Sequence, residues 1–255
     1  MYDFDLKNNL AKANIAQKLK DLLTITSNLK VKVQMKIKIV KQYILGQIRF
    51  ELKTYNFGAT WIDENLDAML VKYVRDWLEM PISSCIKEMM TLPVHKGGLG
   101  IPLLKNVSDQ MWLQKRNALK HSSNSDIKQV WSDTSYKHIS SDSLLTTDNL
   151  TTASITLKKS QMSKAKNHFY ALEVQGMAAR TVSDTVSKSN ILLWTSNLES
   201  VSSYLHNFAK KALQQQLATL SNLVRWKKVT DASCPLCGTG AAQAISTYFQ
   251  TVHRL

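Results

Sequence analysis

One stretch, residues 60–104, constrains the fold most, because its apolar residues first recur at spacings of three and four. That spacing places them on one face of an α-helix. We predict that Thr60 caps this helix and that Asp63, three residues later, completes a capping box. Pro81 is expected to stop the helix, because proline has no amide hydrogen and clashes with the preceding turn. The predicted apolar face consists of Ile62, Leu66, Met69, Leu70, Tyr73, Val74, Trp77 and Leu78.

A short helix through Ile86, Met89 and Met90 is predicted next, and residues 95–102 follow as a loop. This loop contains three closely spaced glycines, which supply the φ freedom that a sharp turn needs. The stretch therefore predicts two helices followed by a glycine loop.

Residues 30–55 allow two interpretations. Residues 32–39 alternate between lysine or glutamine and apolar residues, as a strand does, but a longer helical stripe runs through the same residues. No glycine or proline interrupts the stripe before Gly46, so we predict a helix. Its stripe consists of Val33, Ile37, Val40, Ile44, Ile48 and Leu52.

The rest of the chain also favours helices, because 255 residues contain only 8 glycines and 4 prolines. Further helices are expected over residues 10–29, 104–120, 155–176 and 199–213. In the last of these, we expect an inward face of Val201, Leu205, Phe208, Ala209 and Ala212.

The predicted fold class is mainly α: a helical bundle, a helical connector and a short irregular end. Residues 121–154 are rich in Ser, Thr, Asn and Asp, which favour loops and caps. We interpret them as a linker with one short helix around Ile127 to Trp131. The predicted domains are therefore 1–120, 121–154 and 155–255.

The chain is strongly basic. Its 33 Lys and Arg against 19 Asp and Glu give a net charge of +14. Such an excess favours a polyanionic partner, either nucleic acid or an acidic membrane surface. The acidic start of the sequence does not resemble a signal peptide, and no apolar run reaches the roughly 18 residues of a membrane span. We therefore expect an intracellular protein.

The cysteines suggest at most half of a metal site. Cys234 and Cys237 form a Cys-x2-Cys pair, which can supply two thiolates to one tetrahedral Zn²⁺. His253 is the candidate third ligand, and no fourth cysteine follows. The alternative is a reduced pair in a knuckle-like turn. Cys85 is expected to be a packing residue.

The order of these motifs resembles a known family. Trp61-Ile-Asp-Glu-Asn-Leu-Asp67, then Tyr73-Val-Arg-Asp-Trp-Leu78, then Gly97-Gly-Leu-Gly-Ile-Pro102 resembles the thumb region of non-LTR (LINE-type) retrotransposon reverse transcriptases. Residues 34–55 resemble the first thumb helix of that family. Residues 217–226 and the Cys234–Cys237 pair resemble the segment before its C-terminal zinc knuckle and the start of that knuckle.

The resemblance implies that the chain is a nucleic-acid-binding fragment of an RNA-directed DNA polymerase. Its partners would be RNA and DNA, held as a template–primer duplex, and its location would be nuclear. The chain contains no Tyr/Phe-x-Asp-Asp motif, so we expect it to start after the catalytic palm, with no catalytic residues and no Mg²⁺ site. Zn²⁺ is the one cofactor considered. The expected phosphate contacts are Lys32, Lys36, Lys38, Lys41, Lys72, Arg75, Lys96, Arg225, Lys227 and Lys228.

A hypothesis of another class stays open. The chain could be a basic α-helical module that contacts acidic proteins or an anionic membrane surface. Salt-dependent binding to a duplex would separate the two hypotheses, because phosphate contacts weaken steeply as salt rises.

Overall fold

The computed structural model describes residues 8–55, 57–127, 150–176, 200–235 and 242–243. The chain is mainly α-helical, as predicted. Within the described ranges, the only β-type pairing is an antiparallel bridge between Ser233 and Ala242. None of the helices in these ranges has the length and apolar character needed to cross a bilayer.

Ten α-helices are described: α1 (Asn9–Asn28), α2 (Val33–Ile39), α3 (Leu45–Thr54), α4 (Ala59–Trp61), α5 (Ala68–Trp77), α6 (Ile86–Thr91), α7 (Leu104–Lys120), α8 (Leu150–Ala171), α9 (Ser203–Leu213) and α10 (Leu220–Arg225). Two π-helical segments, Val40–Ile44 and Ile62–Asp67, join α2 to α3 and α4 to α5. Helices α1 to α7 share one apolar core.

Residues 33–54 are helical, so the helix interpretation of this ambiguous region is confirmed. The stripe residues from Ile37 to Leu52 are buried, and Val33 is half-buried against them. In an α-helix of about 3.6 residues per turn, side chains spaced four apart gradually rotate away from one face. The wider turn of the π-helical segment compensates for that rotation. The π segment thus keeps one long stripe directed at the core.

The helix predicted after Thr60 is also present, but the predicted capping box of Thr60 and Asp63 is wrong. The helix begins at Ala59, Gly58 is the N-cap, and no side chain caps it. Asp63 instead pairs with Lys87 at the start of α6. The predicted apolar face is confirmed: Met69 and Tyr73 are half-buried, and the other six residues are buried.

The glycine loop after α6 (Val94–Gly100) forms the sharp turn that the sequence predicts. Gly97 and Gly100 have φ angles of 80° and 65°, which side chains rarely adopt. A Cβ on Gly98 would lie 1.9 Å from the carbonyl oxygen of Leu92. Backbone hydrogen bonds from Leu99 to Met89 and from Ile101 to Met90 hold the loop against α6.

The helix after the predicted linker differs from the prediction at both of its ends. Helix α7 ends at Lys120 as expected, but α8 begins at Leu150 rather than Ile155 and ends at Ala171 rather than Gly176. The early start brings Ala153 into an apolar cluster with Trp112 and Leu113 of α7. The short helix predicted at residues 127–131 lies almost wholly outside the described residues.

Helix α9 begins at Ser203 rather than Glu199, and its predicted inward face is wrong at two positions. Leu205 and Phe208 are exposed by 52% and 37%, whereas His206, Asn207 and Lys210 are buried. The physical reason is that α9 packs against backbone carbonyl groups, which need hydrogen-bond donors rather than methyl groups.

Candidate nucleic-acid interface

The clearest basic site is a groove of about 350 Å³ where α1 turns into α2. Lys30, Lys32 and Lys38 line it, and no acidic residue is among its described lining residues. Val31, Gln34 and Met35 complete the lining. We name this site the basic groove. The lysines suit an anionic group, and Val31 and Met35 suit an apolar part of the same ligand.

The local sequence explains why the groove lies there. Helix α1 ends at Asn28 and α2 begins at Val33, so Lys30 and Lys32 fall in the turn between the two helices. Lys38 reaches the groove from α2 itself. The first turn of α2 contains no acidic residue that would offset the positive end of its dipole. The turn therefore concentrates positive charge at one place on the surface.

Lys32 belongs to a small network at this groove. Its ammonium donates to the carbonyl oxygen of Ser200 at 3.4 Å. The backbone amide of Val33 donates to the hydroxyl of Ser203 at 3.2 Å, so the N-terminus of α9 lies directly beside the start of α2. The segment just before α9 therefore contacts Lys32, one of the residues that line the basic groove.

Lys36 and Lys41, also predicted as phosphate contacts, have internal partners instead. The ammonium of Lys36 donates to the carbonyl oxygen of Ser27 at 2.7 Å and lies 5.9 Å from the ring centre of Trp77. Lys41 reaches the glycine loop, where its Nζ would lie 3.5 Å from a Cβ on Gly100. Lys36 thus ties α2 to α1 and α5, and Lys41 of the following π-helical segment lies against the glycine loop, so neither lines the groove.

The other predicted contacts lie on separate elements. Lys72 is exposed on α5, and Arg75 is half-buried one turn later, 3.8 Å from Asp76. Lys96 is exposed in the glycine loop. At the end of α10, Arg225, Lys227 and Lys228 are exposed, and Lys228 lines a second cavity. The ten predicted residues therefore fall into several local groups rather than one.

Sequence reasoning missed a buried polar cluster beneath the glycine loop. Lys210 of α9 is only 1% exposed and donates to the carbonyl oxygens of Gly97 and Gly98 at 2.8 and 3.0 Å. Asn207 donates to the carbonyl oxygen of Trp77 at 3.3 Å. No local pattern indicated this cluster, because the positions of its acceptors depend on the tertiary fold.

The cluster is electrostatically unusual. Burial and, as a smaller cause, the nearby charge of Lys41 together lower the pKa of Lys210 from its usual 10.5 to about 7. Burial and the charge of Lys210 lower the pKa of His206 to about 4, so this imidazole is neutral at physiological pH. The loop is thus held by a lysine whose charge is marginal at neutral pH.

Of the predicted zinc ligands, only Cys234 lies in the described residues, and Cys237 and His253 do not. Cys234 is buried next to Ser233, which forms an antiparallel bridge with Ala242. The described residues contain no group of three potential metal-ligating side chains. Zinc binding therefore stays a prediction. Cys85 is half-buried, and burial raises the pKa of its thiol to about 11, so it is protonated at neutral pH.

In comparison with known proteins, neither a protein-family model nor a curated protein matches the chain.

Proposed function

We propose that the chain binds nucleic acid through its phosphate backbone, with the basic groove as the main contact. The observation that carries the proposal is the convergence of Lys30, Lys32 and Lys38 on one groove. Lysines that neutralise phosphates release condensed counterions, which favours binding. The overall charge of +14 adds attraction at longer range.

The resemblance to non-LTR reverse transcriptases supports the same proposal from the sequence side. In this interpretation, the helices around the groove are a thumb-like support that holds a template–primer duplex of RNA and DNA. The catalytic acids of the parent polymerase would lie on polypeptide that is not part of this sequence. We therefore propose a binding role and no polymerase activity for these 255 residues alone.

A salt titration tests the proposal. Binding of the chain to an RNA–DNA primer–template would be measured by fluorescence anisotropy over a series of salt concentrations. Log K for binding falls as log salt rises. Replacing Lys30, Lys32 and Lys38 together by Gln is expected to make this negative slope shallower, by about one for each phosphate that the variant no longer neutralises.

The matched control replaces three exposed lysines elsewhere, Lys20, Lys53 and Lys158, by Gln. It removes the same net charge, so its effect on the slope should be clearly smaller. Equal slopes for the two triple variants would show that the groove is not the contact. Binding to anionic vesicles without any binding to the duplex would favour the membrane-surface hypothesis instead.

A further inference from the structure

The second cavity, of about 580 Å³, lies where the C-terminal ends of three helices meet. Glu79 and Met80 follow α5, Gln216 and Leu217 follow α9, and Trp226 and Lys228 follow α10. We name it the three-helix cavity. It is separate from the basic groove, and the two share no lining residue.

The same backbone motif closes all three helices. Glu79, Gln215 and Lys227 have positive φ angles of 53°, 54° and 57° and are the only such non-glycine residues in the described part of the chain. In each case the next amide bonds a carbonyl five residues back, as in a Schellman motif, where glycine is usual. These three turns direct the residues that follow them into one cavity.

Two buried amide side chains line the cavity with unused hydrogen-bonding capacity. Gln216 is 3% exposed, and neither its Nε2 nor its Oε1 has a partner among the described residues. The Oδ1 of Asn207 also lacks a partner there, although its Nδ2 is bonded to Trp77. Buried polar atoms without partners are costly, so a ligand that reached these atoms with both donors and acceptors would be stabilised.

The rest of the lining indicates what kind of ligand fits. Tyr204 and Phe208 of α9 expose their rings, Tyr204 by 75%, and Trp226 lies half-buried beside them. Lys211 and Lys228 line the same cavity, and the ammonium of Lys211 lies 3.4 Å from the carboxylate of Glu79. Flat aromatic surfaces, an amide pair and nearby cations match a planar base with a polar edge and an attached phosphate.

We propose that the three-helix cavity holds one unpaired nucleobase of a single-stranded nucleic acid. The base stacks on the aromatic rings of α9 and of Trp226, and its polar edge bonds Gln216 and Asn207. Lys211 and Lys228 contact the flanking phosphates. The proposal rests on the proposed function in taking nucleic acid as the partner, but it uses a different site.

The test compares two single strands with the same phosphates. One is an oligouridylate of about five nucleotides, and the other has the same sugar–phosphate backbone without bases. The chain is expected to bind the strand that carries bases at least about tenfold more tightly, because aromatic stacking acts on bases alone.

Two substitutions locate that preference. Tyr204→Ala removes an exposed ring without disturbing the core, and Gln216→Met keeps the side-chain size but removes the amide. Each is expected to reduce the preference for bases several-fold while leaving the salt slope for duplex unchanged. The control is Phe50→Ala, which removes a 71% exposed ring on α3 and should leave the preference intact.

The outcomes separate the two proposals. Equal binding of both strands by the unmodified chain overturns the cavity proposal, even where the duplex binds through the basic groove. Equal effects of Tyr204→Ala and Phe50→Ala overturn it as well. A chain that binds neither duplex nor single strands contradicts the proposed function and the cavity proposal together.

Discussion

Lys210 shows at the scale of one residue how a charged side chain can belong to a protein interior. Its ammonium satisfies two carbonyl oxygens of the glycine loop, at positions where the bends required by Gly97 and Gly98 leave those oxygens facing α9. The cost is the removal of a charge from water, which the lowered pKa reflects. Burial thus destabilises the charged form of Lys210, while its two hydrogen bonds hold the glycine loop in place.

The first prediction at this scale concerns pH. The folded-state pKa of Lys210 is about 7, below its usual value of 10.5, so between these values the unfolded chain binds more protons than the native one. The free energy of unfolding should therefore rise with pH above 7, by up to about 1.4 kcal/mol per pH unit from this residue. Denaturant titrations at several pH values between 7 and 10 measure this rise.

In Lys210→Met this contribution should disappear, whereas Lys20→Met, which changes an exposed lysine of α1, should keep it. The absolute stability of Lys210→Met is less informative, because the substitution removes both a buried charge and two hydrogen bonds. The assignment to Lys210 fails if both variants keep the same pH dependence.

Asp67 is the second buried charged residue, and it links two elements. Its carboxylate accepts the backbone amides of Leu104 at 2.6 Å and Lys105 at 3.1 Å, the first two residues of α7. The residue before α7 is Leu103, which cannot cap a helix through its side chain. The π-helical segment that ends at Asp67 lets a carboxylate of one helix cap another.

The prediction at the scale of elements concerns this cap. Asp67→Ala leaves the first amides of α7 without their acceptor and should destabilise the fold by about 1–3 kcal/mol at neutral pH. Thermal and urea unfolding, followed by circular dichroism, would measure the loss. A cost no larger than that of an exposed carboxylate substitution, such as Asp21→Ala, would show that α7 needs no cap from Asp67.

The same residue predicts a pH effect of opposite direction to that of Lys210. Burial raises the pKa of Asp67 to about 6, although the amides of Lys105 and Leu104 oppose that rise. The native chain then holds the extra proton between pH 3.8 and 6, so the stability contributed by Asp67 is present at low pH and is lost as pH rises through 6. Unfolding of Asp67→Asn, compared with Asp21→Asn, should lack this decline.

Helix α9 connects the element scale to the whole molecule. Asn207 and Lys210 of α9 donate hydrogen bonds to the end of α5 and to the glycine loop. Tyr204 and Phe208 of the same helix line the three-helix cavity. Its N-terminus also accepts a hydrogen bond from the backbone amide of Val33 at the start of α2. A single helix thus lines the three-helix cavity and packs beside the helix that carries Lys38 of the basic groove.

At the scale of the whole molecule, the proposed function predicts binding without synthesis. The isolated 255-residue chain should bind a primer–template but should not extend the primer when supplied with deoxynucleotides and Mg²⁺. A primer-extension assay resolved on a denaturing gel measures this, with a complete reverse transcriptase as the positive control. Template-dependent extension by the purified chain would contradict the assignment of catalysis to other polypeptide.

The sequence by itself determined the helical class, most helix positions and the glycine turn. These features depend on local rules: apolar spacing selects a helical face, and glycine permits backbone angles that other residues avoid. Residues 33–54 illustrate this, because their stripe predicted a helix despite an alternating start.

Only the tertiary structure decided which polar residues are buried and which lysines meet. Lys30, Lys32 and Lys38 share a groove because a turn brings them together, whereas Lys36 and Lys41 on the same helix point to other partners. Lys210, Asn207 and Asp67 are inside because carbonyl and amide groups from distant parts of the chain require them there. Such requirements depend on where backbone groups lie in three dimensions, which spacing along one helix does not encode.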